Sequence, residues 1–463
     1  MYIRALVFSC IVLFCCMQAV YAQPVTLDPT FGENGISVIP GEGVISRLKF
    51  DLAGNIFALG YPNLDFDPFI VKTDAHGTID SSFGINGIAH LNIFPLGRFD
   101  FKITNENKIL FVGGELFNAL IIQLNEDGSI DNSFGNNGRI VLDINFTVSN
   151  VNLESDDFML LIGDYVVEKY NYNGELDHDF GIGGTVIWKD IGLPDISYPT
   201  RVKISNDQSI LVAGATLNDN HQNSLWFLKM NSNGNLVTNF ANNGIWEMET
   251  SVYEVFFDNI IEDQNGNLLL TGYANNNSFM CSFSPNGVIN SNFGMNGFSY
   301  FDDLVPDFYY KKMLQYGSKY LIGSSDKLIC VNNDGSLDNS FNDTGLFICD
   351  GFTFADMKLQ GIDKLILGGK TSNYNFSFTR LNIPPAVSVK QFDNPVHAIT
   401  IFPNPAKDYL NFNTEQQFEI MDIQGRILLK SEKATQIVNV SHLRPGIYFI
   451  KFDAKQVRKF VKN

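Results

Sequence analysis

Helical periodicity is missing from this chain at any useful length, so an all-helical fold is excluded. Cysteine is scarce, with six residues, and Cys10, Cys15 and Cys16 fall in the first sixteen positions. The remaining Cys281, Cys330 and Cys349 are odd in number and unpaired in spacing. That excludes a disulfide framework and a cysteine zinc site; buried thiols are expected, with one bridge left open. The histidines His76, His90, His178, His221, His397 and His442 are scattered, and there is no HExxH, GxSxG or phosphate-cradling glycine loop. No metal and no cofactor is therefore implied. Charged residues make up only 18%. Beyond the N-terminus no apolar run approaches the roughly 20 residues that a membrane-spanning helix needs.

What is present begins with Met1-Tyr-Ile-Arg4, an apolar run "ALVFSCIVLFCCM" and then "QAVYAQ". A positive start, an apolar core of 13 residues and small residues before a cut after Ala22 predict a secretory signal peptide over residues 1–22. The net charge of −18 is unevenly spread: residues 23–396 hold 21 Lys+Arg against 44 Asp+Glu, and residues 397–463 hold 10 against 6. A body that acidic argues against nucleic acid or an anionic membrane as partner, and plain solubility explains it better than an acidic binding face. Forty phenylalanines and frequent Gly and Asn suggest many short strands joined by tight turns.

Internal repeats confirm that pattern. "GTIDSSFGINGI", "GSIDNSFGNNGRI", "GELDHDFGIGGTV", "GNLVTNFANNGIW", "GVINSNFGMNGFS" and "GSLDNSFNDTGLF" align, and "VTLDPTFGENGIS" opens the region without the leading Gly. The repeated aromatics are Phe31, Phe83, Phe134, Phe180, Phe240, Phe293 and Phe341. Each is followed four residues later by glycine: Gly35, Gly87, Gly138, Gly184, Gly244, Gly297 and Gly345. A Gly preceded mostly by Asn suits a positive-φ turn before a strand restarts. The Phe, with the Leu or Ile four residues before it, reads as an apolar peg between neighbouring units. Asp three residues before Phe, in five copies, reads as an Asx turn. Copies with Val237, Ala241 and Asn342 depart from the motif, which is expected to weaken their turns.

Between motifs lie four strand-length apolar segments, in the first unit "ISVI", "ISRLKF", "NIFALGY" and "PFIVKTD". Four strands in about 50 residues, repeated seven times, predict an all-β chain with a seven-bladed β-propeller over residues 23–382. An open solenoid is the alternative architecture. The opening motif Leu27–Gly35 has no strands before it and is expected to fill the gap after the last unit, whose final strand ends near Leu381. The pattern resembles the delta-60 repeat family, whose "LDxxFGxxG" units are regarded as propeller-like. That resemblance carries no enzymatic activity with it.

"IPP" at Ile383–Pro385 breaks the pattern, and residues 383–396 read as a linker. "ITIFPNPAKDYLNF", "FEIMDIQGRILLK", "TQIVNVSHLRPGIYFIKF" and "VRKFVKN" then predict a small Ig-like antiparallel β-sandwich over residues 397–463. This segment resembles the C-terminal sorting domain of type IX secretion cargo in Bacteroidota, with Pro403, Asn404, Pro405, Gly425, Gly446 and Tyr448 on family-typical positions. The resemblance implies recognition by the outer-membrane translocon and a secreted or surface-attached product, with no transmembrane segment after signal removal.

Isolated chemical groups remain. His76 and His178 lie in repeat turns and read as turn substitutions; Asn125–Ser129 and Asn332–Ser336 read as hairpin turns, lacking the further ligands of a calcium loop. Asp65 with Asp67, Asp156 with Asp157, and Asp302, Asp303 and Asp307 are candidate acid pairs for glycoside hydrolysis. "DFYYKK" at 307–312 could stack on sugars, whereas Trp188 and Trp246 are expected to be buried. No catalytic residue is assigned. The expected function is a secreted or cell-surface, non-enzymatic binding or scaffold protein for an unknown protein or glycan, with a carbohydrate-active enzyme using acids at the propeller mouth as the alternative. Truncation near Pro395 should leave the protein in the periplasm. Cell fractionation checks this, and unchanged export would overturn the sorting assignment.

Overall fold

The computed structural model describes residues 24–63, 67–93, 98–115, 118–194, 197–217, 223–250, 255–274, 277–301, 312–385, 401–402, 406–421, 426–431, 433–452 and 457–462. The expected leader, most of the linker, and Pro403, Asn404, Pro405 and Gly425 lie outside them. Among the described residues the chain is all β, with two short 3-10 turns and no α-helix. It divides into two compact units, residues 1–389 and 390–463.

The first unit is built of antiparallel sheets. Five have four strands each, in chain order, starting with Phe99–Ile103, Asn150–Asn152, Ser197–Ile204, Val255–Glu262 and Lys312–Tyr316. A further sheet of eight strands joins residues from the two ends of the unit. After each of the six later motifs the following segment pairs with the strand before the motif, as Ile88–His90 pairs with Phe69–Thr73. It therefore completes the preceding sheet, where the sequence pattern had placed it at the head of the next. The reason is the turn: the motif reverses the chain so tightly that the following strand returns to its predecessor's edge.

The motif itself has a clear physical basis. All seven motif glycines have φ between +78° and +101°, a conformation costly for any residue with a Cβ. Six of the seven phenylalanines are buried, while Phe134 is half-buried. Five of the six buried rings, all but Phe341, lean on the turn of the following repeat: a Cβ on Gly77 would stand 2.6 Å from Phe31, and one on Gly128 2.9 Å from Phe83. The equivalent Gly174 faces Ile140 and Leu142, which accounts for the exposure of Phe134. The residue after Phe fastens the same seam with its N–H, Gly32 donating to the His76 carbonyl at 2.8 Å and Gly84 to that of Asp127 at 2.6 Å. Ala241, a departure from the motif, still makes this bond, to Asn286 at 2.7 Å. Asn342 takes another role, accepting the Val25 N–H at 3.2 Å. The Asx turns are present, with Asp28, Asp80, Asp131 and Asp338 each accepting bonds from the Ser or Thr two residues on.

Closure joins the ends of this unit. The strand Ile36–Phe50 pairs through Ile36–Glu42 with Asn375–Asn382, and through Gly43–Phe50 with Ile56–Pro62. The short strand Thr26–Leu27 adds two more pairs to Asn375–Asn382. A buried ion pair locks the joint: Asp28 Oδ2 accepts from Arg380 Nε at 2.8 Å and lies 3.2 Å from Lys364 Nζ. The Arg380 guanidinium also covers the Phe31 ring at 4.8 Å and donates to the Ala75 carbonyl.

Residues 401–462 form two antiparallel sheets, one of three strands and one of four, around a single core that includes Leu410, Phe412, Ile420, Ile450 and Phe460. Gly446 opens the strand Gly446–Phe452, and Tyr448 donates its hydroxyl to the Arg444 carbonyl at 2.8 Å.

Burial alone would raise the Asp28 carboxyl, but the Thr30 hydroxyl and N–H, Lys364 and Arg380 outweigh it and hold it at about 2. The depressed value means that its stabilisation is present above the usual carboxylate range and is lost as pH falls toward 2. Asp28→Asn should cost about 3 kcal/mol, since Arg380 then keeps a buried charge without its partner. Urea unfolding at neutral pH checks the loss, and acid unfolding should show the variant without this part of the pH dependence.

Candidate functional site

The first strands of the sheets touch one another in chain order, and Phe352–Leu359 touches Ile36–Phe50 to complete the series. Their registers define equivalent positions, with Leu48 opposite Ala58, Phe101 opposite Phe111, Val151 opposite Leu161 and Val202 opposite Val212. Ile260, Met313 and Met357 continue the set, opposite Leu270, Ile322 and Leu367. The residue before each forms one tier: Arg47, Asp100, Asn150, Arg201, Asn259, Lys312 and Asp356. Two residues further on lies a second tier: Lys49, Lys102, Asn152, Lys203, Ile261, Leu314 and Lys358. In four units the pairing slips just before the first tier, at Ile45/Arg47, Pro199/Arg201, Phe257/Asn259 and Phe354/Asp356. Such bulges re-aim the side chain that follows.

Polar contacts run forward from one first strand to the next. Asp100 Oδ1 lies 3.9 Å from Arg47 Nε and 3.7 Å from Lys49 Nζ. Lys102 Nζ donates to the Ser155 carbonyl at 2.8 Å and to Asp156 at 3.1 Å. Asn150 Nδ2 donates to the Thr200 carbonyl at 3.0 Å, Lys203 Nζ lies 3.6 Å from Glu154, and Arg201 donates to the Asp258 carbonyl. Lys312 Nζ lies 3.5 Å from Asp356 Oδ1, while Asp356 Oδ2 accepts the Leu48 N–H at 2.8 Å. Burial pulls the Lys312 ammonium down to about 8; Asp356 and Asp100 oppose this, and Arg47 and Arg201 reinforce it. Burial would raise the Asp356 carboxyl, but Lys312, Lys358, Arg47 and the Leu48 N–H together lower it.

Where the sheets that start with Val255–Glu262 and Lys312–Tyr316 meet, the pattern changes. Ile261 and Leu314 replace lysine in the second tier, and the next position carries Glu262 and Gln315 where Phe50, Ile103, Ile204 and Leu359 stand elsewhere. Tyr320 likewise replaces the aliphatic residue that begins the second strand, such as Ile56 or Ile210. A cleft of about 240 Å³ opens there, lined by Asp263, Asn267, Asn290, Gln315, Tyr320 and Asn333 among others. Asp263 Oδ1 accepts the N–H groups of Asn265 and Asn267, both at 2.8 Å. Its Oδ2 accepts Asn267 Nδ2 at 2.9 Å and the Tyr320 hydroxyl at 3.3 Å. Burial, helped by Asp263, raises the Tyr320 hydroxyl well above the usual range, so it stays protonated as a donor.

The groups singled out in the sequence are dispersed. Asp67 is held by His90 Nδ1 at 3.1 Å and by the Ile93 N–H at 3.1 Å, and Asp156 by Lys102. Asp65, Asp302, Asp303, Asp307 and most of the aromatic run at 307–312 lie outside the described residues. Trp188 is buried, beginning the 3-10 turn Trp188–Ile191. Trp246 is half-buried, against the prediction, because its strand Ile245–Thr250 is a sheet edge; its ring packs on Phe227 and Phe283. His76 sits in a turn capped by Asp74, and His178 Nδ1 faces the Gly183 carbonyl at 3.3 Å. Cys281, Cys330 and Cys349 are buried and free, and burial raises the thiols of Cys330 and Cys349 to about 12. Both tiers escaped the sequence reading. Their signal is the alternation of charge within the second apolar segment, "SRLKF", "FDFKI", "TRVKI" and "ADMKL".

Residues 400–463 match the secretion system C-terminal sorting domain, and residues 107–134 and 317–341 match a β-propeller domain of unknown function, DUF5122. The chain thus pairs a propeller with a type IX sorting tail. No curated protein matches it in sequence. Among solved structures it is similar to PorZ, an essential surface component of the type IX secretion system of Porphyromonas gingivalis, at 11% identity and a TM-score of 0.41. That match covers 92% of this chain, which spans 60% of PorZ. It is also similar to the extracellular domains 1-2 of Drosophila Semaphorin 1a, at 7% identity and a TM-score of 0.42, covering 75% of this chain and 87% of that one. Kuenenia stuttgartiensis hydrazine synthase shares 10% identity over 64% of this chain and 78% of its own, with a TM-score of 0.41.

Lys312 should titrate near pH 8, and Arg201→Gln should raise that value by removing a repelling cation. NMR of dimethylated lysines checks both the position and the direction.

Proposed function

We propose that this protein is type IX secretion cargo whose exported part is a non-enzymatic, glycan-binding β-propeller. In this reading residues 1–22 are the signal peptide and residues 23–382 a seven-bladed propeller of delta-60 type, the eight-stranded sheet counting as two blades. Residues 383–396 link it to an Ig-like sorting sandwich over 397–463. The product is released or attached to the outer surface.

The cleft between the sheets that start with Val255–Glu262 and Lys312–Tyr316 carries the binding part of this proposal. Its lining is amide and hydroxyl, with Asp263 as its carboxylate and Tyr320 as a hydroxyl kept protonated. Neutral donors and acceptors of this kind match sugar hydroxyls, and a volume of about 240 Å³ suits one polar unit more than a drug-sized ligand of roughly 300 Å³ or above. The site also lies where the repeat departs from its own pattern, so Gln315 and Tyr320 are not required by the framework. Asp67 is held by His90 Nδ1 and the Ile93 N–H, and Asp156 pairs with Lys102, so neither is free to act as one of a pair of acids, which favours binding over hydrolysis.

Glycan-array screening of the exported chain should find retained neutral glycans that emerge unhydrolysed. Gln315→Ala with Tyr320→Phe should weaken retention at least tenfold, equal to about 1.4 kcal/mol. Hydrolysis of the retained sugar would support the carbohydrate-active alternative, and retention unaffected by the double substitution would remove this cleft from the reading.

A further inference from the structure

We infer that the two tiers of first-strand residues form a site for a small ligand carrying two or more anionic groups, carboxylate, sulfate or phosphate. The inference rests on the closed-ring reading of the first unit, and it concerns a place separate from the neutral cleft.

Charge carries the argument. The first tier holds Arg47, Arg201 and Lys312 against Asp100 and Asp356, and the second holds Lys49, Lys102, Lys203 and Lys358 with no acid. Within the tiers themselves seven cations thus face two acids, with Glu154, Asp156, Asp157, Glu262 and the buried Asp258 flanking them. This surplus sits inside a body whose residues 23–396 carry 21 cations against 44 acids. Colloidal solubility does not call for lysines here, because an acidic surface already provides it.

Geometry places the cations together. Arg47, Arg201 and Lys312 stand at equivalent register positions on Ile36–Phe50, Ser197–Ile204 and Lys312–Tyr316, three first strands of the series in which each touches the next. The tier cations are reachable by solvent but mostly covered, with side chains of Arg47, Lys49, Lys203 and Lys312 between 24% and 29% exposed. Lys358 has no carboxylate within ion-pair distance among the described residues. The tiers are two residues apart on each strand, about 7 Å along it, so two anionic groups on one molecule can engage both. Low-dielectric walls strengthen these attractions relative to water. A long polyanion is disfavoured by the acidic exterior, whereas a short one inside the ring is shielded from it, since exposed charges are screened within about 8 Å at physiological salt.

Titration calorimetry of the exported chain with pyrophosphate, citrate and trigalacturonate tests this. At least one should bind, more weakly as salt is raised, and Lys358→Met should weaken it at least fivefold. Lys203→Met should act in the same direction, and Lys430→Met in the second unit should leave binding unchanged. Melting curves close to wild type confirm that the variants fold. Binding of trigalacturonate alone identifies the end of an acidic glycan, and binding of pyrophosphate or citrate identifies a free polyvalent anion; either outcome supports the site. A well-folded wild type that binds none of the three, or an unchanged Lys358→Met variant, would overturn it. Neither result bears on the neutral cleft, whose test uses uncharged sugars and different residues.

Discussion

A succession of sheets can enclose an axis only if the last strand finds the first. In this chain that requirement falls on Ile36–Phe50, which pairs with Asn375–Asn382 through its first half and with Ile56–Pro62 through its second. Backbone pairing alone would leave the joint as weak as any sheet edge. It is reinforced where Asp28, Arg380 and Lys364 meet under cover, with Phe31 beneath the guanidinium. Apart from the bonds of Val25 to Asn342 and Leu48 to Asp356, which belong to the same joining of the two ends, the seams described in the first unit join neighbours in sequence and form with little loss of chain freedom. This one joins distant segments, and the convergence of the first strands depends on it.

The remaining seams use a common device at the periphery and varied ones at the centre. At the periphery a phenylalanine leans on a glycine turn of the next unit, and one N–H crosses beside it. That arrangement leaves no room for side chains, which is why the motif is so uniform. At the centre the contacts are ionic or amide-based and differ at each step, from Arg47 with Asp100 to Asn150 with the Thr200 carbonyl. Variation is tolerated there because half-exposed polar groups find water when a partner is lost. The centre is therefore free to diversify while the rim is not.

This division explains what the sequence revealed. Phe31, Gly35 and their copies were legible because steric limits repeat them at fixed spacing, and the sorting tail because its own motif is strict. The closure was legible as an orphan motif with no strands ahead of it. Arg47, Lys312 and Lys358 were not, since in each copy the charges are few and of varied sign and only pairing registers bring them into common tiers. Tyr320 and Gln315 were hidden for the opposite reason: they matter as departures, which a search for agreement passes over. The assignment of segments to sheets slipped by one strand, because sequence order alone does not say which edge a tight turn returns to.

The shared strand also sets a timetable. Ile36 pairs with Thr379, so the first part of the domain to be synthesised waits for the last before its edge is covered. Contacts of such long range slow folding, and an uncovered strand is a template for pairing with other chains. The segment Pro40-Gly41-Glu42-Gly43, at the change of partner, interrupts that edge with a proline, a charge and two glycines. The closing strand thus carries, at its change of partner, residues of the kind that discourage pairing with a wrong edge.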